Sequence, residues 1–286
     1  MPRIVPVILA FCAAILAGCS PAALLNATVA SDGVSVDRGI PYGDGPRRQL
    51  DVYRNNDAAG PRPLIVFLYG GSWRTGDRGS YAFVAIPLAA RGAVVVVPDY
   101  RLYPEVAFPD FLDDNAHAVA WAVAHAAEFG ADPHRLFIVG HSAGAYNAAM
   151  LAVDPRWLVR AGLDRAQVAG VVGLAGPYDF LPMTDPDIIP VFAPVDDGPA
   201  SQPVTYVDGR NPPLLLLAGD ADATVRPANT RSLAARVAAA GGAVQSRSYP
   251  GVGHIGIVTA FAPLFSRRAP VLDDVWRFIV EQRPTN

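Results

Sequence analysis

Ser142 stands in Gly140-His141-Ser142-Ala143-Gly144, between the apolar run "LFIV" (136–139) and the alanine-rich stretch "AYNAAML" (145–151). Taken alone, G-x-S-x-G is a weak pattern, and a small residue in a tight turn would account for the serine. The flanks change that reading. A buried-strand pattern precedes it and a helix pattern follows it. A sharp strand-to-helix turn needs small neighbours so that the serine Oγ can project above the sheet. Ser142 is therefore the candidate nucleophile.

A serine hydroxyl attacks poorly without a base. The chain holds five histidines. His117 and His125 fall in the amphipathic stretch 111–129 and read as surface or packing residues. His134 lies in the turn "ADPHR", at the wrong end of the candidate nucleophile strand. His141 adjoins Ser142, where neighbouring side chains diverge. His254, in the glycine-lined "YPGVGHIG", is left as the base. An imidazole in that role needs a carboxylate to fix its tautomer and stabilise its cation. "LLLLAGDADATV" places Asp220 and Asp222 just past a buried strand, where sheet topology gathers ligand-binding loops. Spacing alone does not choose between them. "FLYGGSWRTGD" supplies the remaining part: its paired glycines let backbone N–H groups turn toward a substrate oxygen. Gly71 and Ser72 would join Ala143, at a helix N-terminus, as oxyanion donors.

Absences narrow the chemistry. The chain has no lysine, which removes Schiff-base catalysis, a Ser–Lys dyad and a P-loop. Its net charge of −3 and lack of any basic run point away from nucleic acid. The two cysteines, Cys12 and Cys19, both lie near the N-terminus, so the rest of the chain has no disulfide framework, zinc cluster or thiol nucleophile. Neither a metal nor an organic cofactor is implied.

The opening "MPRIVPVILAFCAAILAGCS" reads as a targeting segment. Arg3 is a thin positive region. The apolar stretch from Ile4 to Leu16 suits a signal peptide and is short for a spanning helix. Leu16-Ala17-Gly18-Cys19 resembles a bacterial lipobox, which implies acylation of Cys19 as the first mature residue. The expected organisation is a lipoprotein signal peptide at 1–18, a tether at 19–30 and one domain at 31–286. The protein would be exported and held to the cell envelope by lipid, at the outer membrane in a Gram-negative host.

The elements that must position these residues read as an α/β fold. "VSVDRGIPYG" and "RQLDVYR" alternate like two antiparallel strands. "PLIVFLY" (63–69), "AVVVVP" (93–98), "LFIVG" (136–140), "VAGVVGL" (168–174) and "PLLLLAG" (213–219) are continuous apolar runs, expected of parallel strands buried on both faces. "RSYPG" (247–251) is a candidate last strand. Helical stretches at about 80–91, 111–129, 144–153, 227–240 and 271–282 alternate with them, which predicts crossovers covering both faces. The segment 176–213 is rich in Pro and Asp and has little periodicity, so it reads as a lid insertion. Trp73, Tyr146, Tyr178 and Phe180 are candidates for lining a pocket and equally for core packing.

With these residues in hand, the chain resembles the α/β-hydrolase superfamily. It is most similar to carboxylesterases around hormone-sensitive lipase, feruloyl-esterase-like proteins and kynurenine formamidases. The resemblance runs from about residue 45 to the end, on "YGGSW", "VVPDYRLYPEVAFPDFLDD", "GHSAGA", "GDADATV" and "GVGH" in the family's order. It implies an α/β-hydrolase fold with a mostly parallel sheet, and the triad Ser142, Asp222, His254, since the family's acid is the second aspartate. The implied reaction is hydrolysis of small or medium carboxylic esters through an acyl-enzyme. An arylformamidase or amidase would use the same triad, and a catalytically silent binding module is the alternative of another class. Tyr69 stands where the family usually has His before the paired glycines. The short stretch before the oxyanion loop leaves little room for a large N-terminal cap, which favours the feruloyl-esterase-like or formamidase-like branch.

Overall fold

The computed structural model describes residues 21–58, 60–195 and 198–282. The expected signal peptide and Cys19 lie outside the described residues. An eight-stranded sheet runs through the molecule in the order β1-β2-β4-β3-β5-β6-β7-β8. Strands β1 (Val34–Pro41) and β2 (Gln49–Asn55) pair antiparallel, and β2 also pairs antiparallel with β4 (Val94–Pro98). All later neighbours are parallel: β3 (Arg62–Leu68), β4, β5 (Ala131–His141), β6 (Val168–Leu174), β7 (Leu214–Gly219) and β8 (Val244–Tyr249).

The apolar runs are strands for the reason their composition suggested. Leu64–Leu68, Val94–Val97, Leu136–Val139 and Leu214–Leu217 are buried on both faces, because helices cover both sides of the parallel part. Those helices are α2 (Ala82–Ala90), α3 (Asp110–Ala124), α4 (Ala143–Val153), α7 (Ala228–Ala239) and α9 (Val271–Glu281), preceded by α1 (Pro21–Ala27) and joined by shorter α5 (Arg156–Arg160), α6 (Ile189–Phe192) and α8 (His254–Thr259). The architecture is the α/β-hydrolase arrangement that the resemblance implied. No helix among the described residues is long and apolar enough to cross a membrane.

Three segments differ from expectation. Residues 21–29, assigned to a tether, are docked on the domain: α1 packs there, and Asn26 donates to Gly79 O at 2.8 Å and accepts from Phe83 N at 2.9 Å. Leu25 and Val29 pack against the core. Strand β5 starts at Ala131, earlier than its apolar run, because Ala131 and Asp132 pair with Arg62 and Pro63 before a register shift. The expected helix at 111–129 ends at Ala124 and tightens into a 3₁₀ turn over Ala126–Phe129, closed by Gly130 at φ 71°.

The segment 176–213 carries α6 and several 3₁₀ turns and is fastened to the domain. Asn229 Oδ1 accepts from Tyr178 N and Asp179 N, both at 2.8 Å, and within the segment Gln202 Oε1 accepts from Phe180 N at 2.7 Å. Tyr146 on α4 donates to Ser201 O at 2.7 Å.

Candidate active site

Strand β5 ends at His141 and helix α4 begins at Ala143, so Ser142 is the turn itself. Its backbone stands at φ 55°, ψ −121°. A side chain at positive φ is strained by about 1–3 kcal/mol, held there by the surrounding structure. The holding is visible: Ser142 N donates to Leu174 O at 2.9 Å, and the backbones press together on both sides. A Cβ on Gly140 would lie 2.2 Å from Gly144 O, and one on Gly144 would lie 2.0 Å from Leu68 O. The glycines of the motif are therefore required by close approach.

His254 reaches Ser142 from the other side of the sheet order. Beyond β8 the chain turns through Pro250–Gly253, and His254 opens the short helix α8 with Gly253 as its N-cap. Its Nε2 lies 2.9 Å from Ser142 Oγ, and its Nδ1 lies 2.8 Å from Asp222 Oδ2. Asp222 is buried, and its other oxygen accepts from Thr224 N at 2.9 Å and Val225 N at 2.8 Å. An ionised carboxylate only accepts, so the Nδ1 proton faces Asp222 and the Nε2 lone pair faces the serine hydroxyl. Asp220 points elsewhere: its Oδ1 accepts from Gly251 N at 2.7 Å and shapes the turn that delivers His254. Of the two aspartates that sequence spacing left open, Asp222 is the one that lies against His254.

The loop after β3 passes directly over the serine. A Cβ on Gly70 would stand 2.8 Å from Ser142 Cβ. Gly71 O accepts from Arg74 N and Thr75 N, both at 3.0 Å, which folds the loop into a tight turn with Gly71 at φ 130°, Ser72 at φ 55° and Trp73 at φ 56°. Among the described residues, no protein acceptor takes the Gly71 or Ser72 N–H. Ala143, as the first residue of α4, has no intrahelical acceptor for its own N–H. The structure thus brings together unspent donors beside a serine that carries a hydrogen-bonded base.

Tyr69 supports this loop from beneath. It is fully buried. Its hydroxyl donates to Asp99 Oδ1 at 2.9 Å and accepts from Arg47 at 2.7 Å. Arg47 also donates to Gly76 O at 2.8 Å and Tyr100 O at 2.9 Å, while Tyr100 donates to Tyr69 O at 2.8 Å. Burial pushes the Tyr69 phenol well above its ordinary pKa, with Tyr100 and Asp99 adding to the shift, so it stays neutral. Arg78 neutralises Asp99 and Asp51 below. An aromatic hydroxyl thus serves as the buttress where the resembled family has an imidazole.

The other candidates are apart from this cluster. His117 is exposed and His125 stacks on Trp121, each with Nδ1 on a carbonyl four residues back. His134 sits near the start of β5, at the opposite end of the strand from Ser142. Of the candidate pocket residues, Trp73, Tyr146 and Tyr178 are buried in the core and Phe180 is partly exposed. Among the described residues no group of three His, Cys, Asp or Glu side chains is arranged to hold a metal ion. An open cleft of about 810 Å³, lined by residues such as Arg165, Arg210, Asn211 and Glu281, lies at the far end of the sheet, where β6 and β7 begin.

Sequence reasoning missed two contributors. His141 is buried against the loop that carries His254, and Asn147 is buried against Trp73. Neither has a local pattern that would mark it, because each partner is more than 70 residues away.

Known proteins similar to this chain bear on the reading. Esterase LipC of Mycobacterium tuberculosis is 31% identical over 238 residues, which is 76% of this chain and 59% of LipC. An isoprenylcysteine alpha-carbonyl methylesterase of Arabidopsis thaliana is 31% identical over 154 residues, 52% of this chain and 36% of that protein. The chain thus spans between about a third and three fifths of the length of these curated relatives. Among solved structures, a truncated carbohydrate esterase from gut microbiota aligns with a TM-score of 0.75 at 23% identity, over 88% of this chain and 98% of its own. Esterase B from Lactobacillus rhamnosis aligns with a TM-score of 0.76 at 19% identity, over 96% and 95%. These likenesses carry the α/β-hydrolase fold. The BD-FAE family model matches residues 50–237, from the second strand to within α7 and so across Ser142, the loop after β3 and Asp222, and the chain belongs to that family.

Proposed function

We propose that this chain is a serine carboxylic-ester hydrolase of the feruloyl-esterase-like branch, acting on small or medium esters. The observation that carries the reading is the unbroken relay from Ser142 Oγ through His254 to Asp222, at 2.9 and 2.8 Å, beside free backbone donors. The esterase names of the relatives support it. Ser142 Oγ attacks the ester carbonyl carbon as His254 Nε2 takes its proton, with Asp222 stabilising the imidazolium. The N–H groups of Gly71, Ser72 and Ala143 hold the negative oxygen of the tetrahedral intermediate. Collapse expels the alcohol, which receives the proton from His254, and leaves an acyl-serine. Water then attacks the acyl carbon as His254 Nε2 takes one of its protons; the second tetrahedral intermediate collapses, the acyl–Oγ bond breaks, and His254 returns the proton to Ser142 Oγ as the acid leaves.

The test is turnover of a chromogenic ester series and of N-formylkynurenine by wild type and Ser142→Ala. Ester hydrolysis should dominate and should fall by about 10³-fold or more in the variant, since triad members act as a unit. Faster turnover of the formamide would replace the ester assignment, and a folded Ser142→Ala protein with wild-type rates would remove the mechanism. The proposal includes export, with the mature protein held at a membrane through lipid on Cys19. The lipobox-like Leu16-Ala17-Gly18-Cys19 supports that part.

A further inference from the structure

The proposed oxyanion hole is built from two separate pieces of chain. Gly71 and Ser72 belong to the loop after β3, and Ala143 begins α4. For both to reach one oxygen, the span between loop and helix must be held to a few tenths of an ångström. Backbone contacts set how close the pieces come, because Gly70 lies against Ser142. They do not by themselves stop the loop from sliding along the helix.

One side-chain bond crosses that gap. Trp73, the residue after Ser72, donates its indole Nε1–H to Asn147 Oδ1 at 2.9 Å. Asn147 is one helical turn beyond Ala143 and fully buried, and Trp73 is only 2% exposed. The indole is gripped on its faces as well. Tyr146 and Phe192 pack edge-to-face on it at 5.1 and 4.9 Å between ring centres, and Phe111 stacks at 5.8 Å. Trp73 also holds φ 56°, a backbone region unfavourable for a bulky residue, so its position is over-determined by these contacts.

The choice of asparagine is costly on packing grounds. Its Nδ2 is buried with no partner among the described residues, and an unmatched buried donor is expensive. A leucine has the same branched heavy-atom skeleton and would bury no amide. The indole donor explains the amide: it needs an acceptor at that point, and only the carbonyl end of Asn147 supplies one.

We infer that Trp73 and Asn147 are a positioning pair that sets the span between the two halves of the oxyanion hole. The pair touches no reacting atom. It acts through Ser72 on one side and Ala143 on the other. The inference rests on the hydrolase reading above, in which those N–H groups face the oxyanion. The hole is used only when the carbonyl oxygen becomes negative, so the pair's contribution falls on the chemical step and leaves ground-state binding alone.

The experiment is steady-state hydrolysis of p-nitrophenyl acetate by the full chain and by Trp73→Phe, Asn147→Leu and the double variant, each with a melting temperature. Trp73→Phe keeps a ring for Tyr146 and Phe192 and loses the donor together with part of the ring's volume, so, read against a packing control, it decides the matter if Asn147→Leu does not fold. Val275→Ala, on the buried face of α9, serves as a control for lost packing. Each single variant should lose about 10- to 100-fold in kcat, a misplacement effect, with KM within about threefold. The double variant should be no worse than the weaker single, since both remove one bond. Val275→Ala should lower the melting temperature and keep kcat. Unchanged kcat in Trp73→Phe, losses that multiply in the double variant, or an equal kcat loss in Val275→Ala would each overturn the pair while Ser142-dependent turnover stands. A wild-type protein without Ser142-dependent turnover would overturn the hydrolase reading, and the pair with it.

Discussion

His141 Nε2 donates to the backbone carbonyl of His254 at 3.2 Å, so the residue before Ser142 holds the residue whose ring faces Ser142 Oγ. The two rings lie 5.0 Å apart between centres. His141 is buried, with its ring against the loop that carries His254. A hydrogen bond donated from Nε2 fixes the neutral tautomer with a bare Nδ1, which has no partner among the described residues.

This buried imidazole makes stability depend on pH. Burial, with the nearby His254 as a second cause, pushes the His141 pKa down from its ordinary value to about 3. In the unfolded chain it titrates near 6.5. Between those values the unfolded state binds the extra proton, so stability is complete above about pH 6.5 and is lost as pH falls toward 3. At pH 5 the loss from this one group is about 2 kcal/mol. His141→Gln should therefore show a shallower decline in unfolding free energy between pH 7 and pH 5 than wild type, measured by urea titration. Parallel declines would mean that His141 is charged inside the folded protein.

The two aspartates after β7 should separate sharply. Asp222→Asn breaks the hydrogen bond that orients His254 and favours the wrong tautomer, a change that costs about 10⁴-fold in rate where a triad operates. Asp220→Asn loses only part of its bond to Gly251 N and should cost less than about tenfold. Side-by-side ester kinetics measure both. A larger loss in Asp220→Asn would show that the acid had been misassigned.

Tyr69→Phe tests the buttress under the oxyanion loop. The change removes the hydroxyl that links Arg47 to Asp99 and leaves the ring stacked on Tyr100. Asp99 keeps Arg78, so no charge is left alone. The expected cost is about 1–2 kcal/mol of stability, read as a lower urea midpoint at unchanged slope. A midpoint equal to wild type would show that water or a shifted Arg47 replaces the hydroxyl without loss.

Lipid attachment is testable apart from catalysis. In a bacterial host the mature protein should carry acyl chains on Cys19, and Cys19→Ala should lose a radiolabelled fatty acid while keeping its esterase turnover. More than one chain is needed for a firm anchor. Mass spectrometry of a mature protein with an unmodified Cys19 would remove the anchor and leave the active site untouched. Because α1 begins at Pro21 and docks on α2, an acylated Cys19 would bring the domain close to the bilayer surface.

The sequence by itself determined the central strands of the sheet and marked Ser142 and His254 as candidates. "AVVVVP" and "PLLLLAG" had to be buried strands, because runs of that length with no polar face cannot line a surface. Ser142 was marked by a strand pattern, small neighbours and a helix pattern in immediate succession, all of them local signals. Other features are set by contacts between distant segments. The helix at His254–Thr259 is written in "HIGIVT", a poor helix former by propensity, and forms because Ile257 and Val258 pack into the core. Asp220 and Asp222 are two residues apart and chemically identical. Only the tertiary path of the chain turns one into a buried pocket against His254 and the other out to Gly251. His141 and Asn147 find partners 113 and 74 residues away. A bond of that reach leaves no periodic trace along the chain, because its geometry exists only once the sheet has brought both segments to one edge.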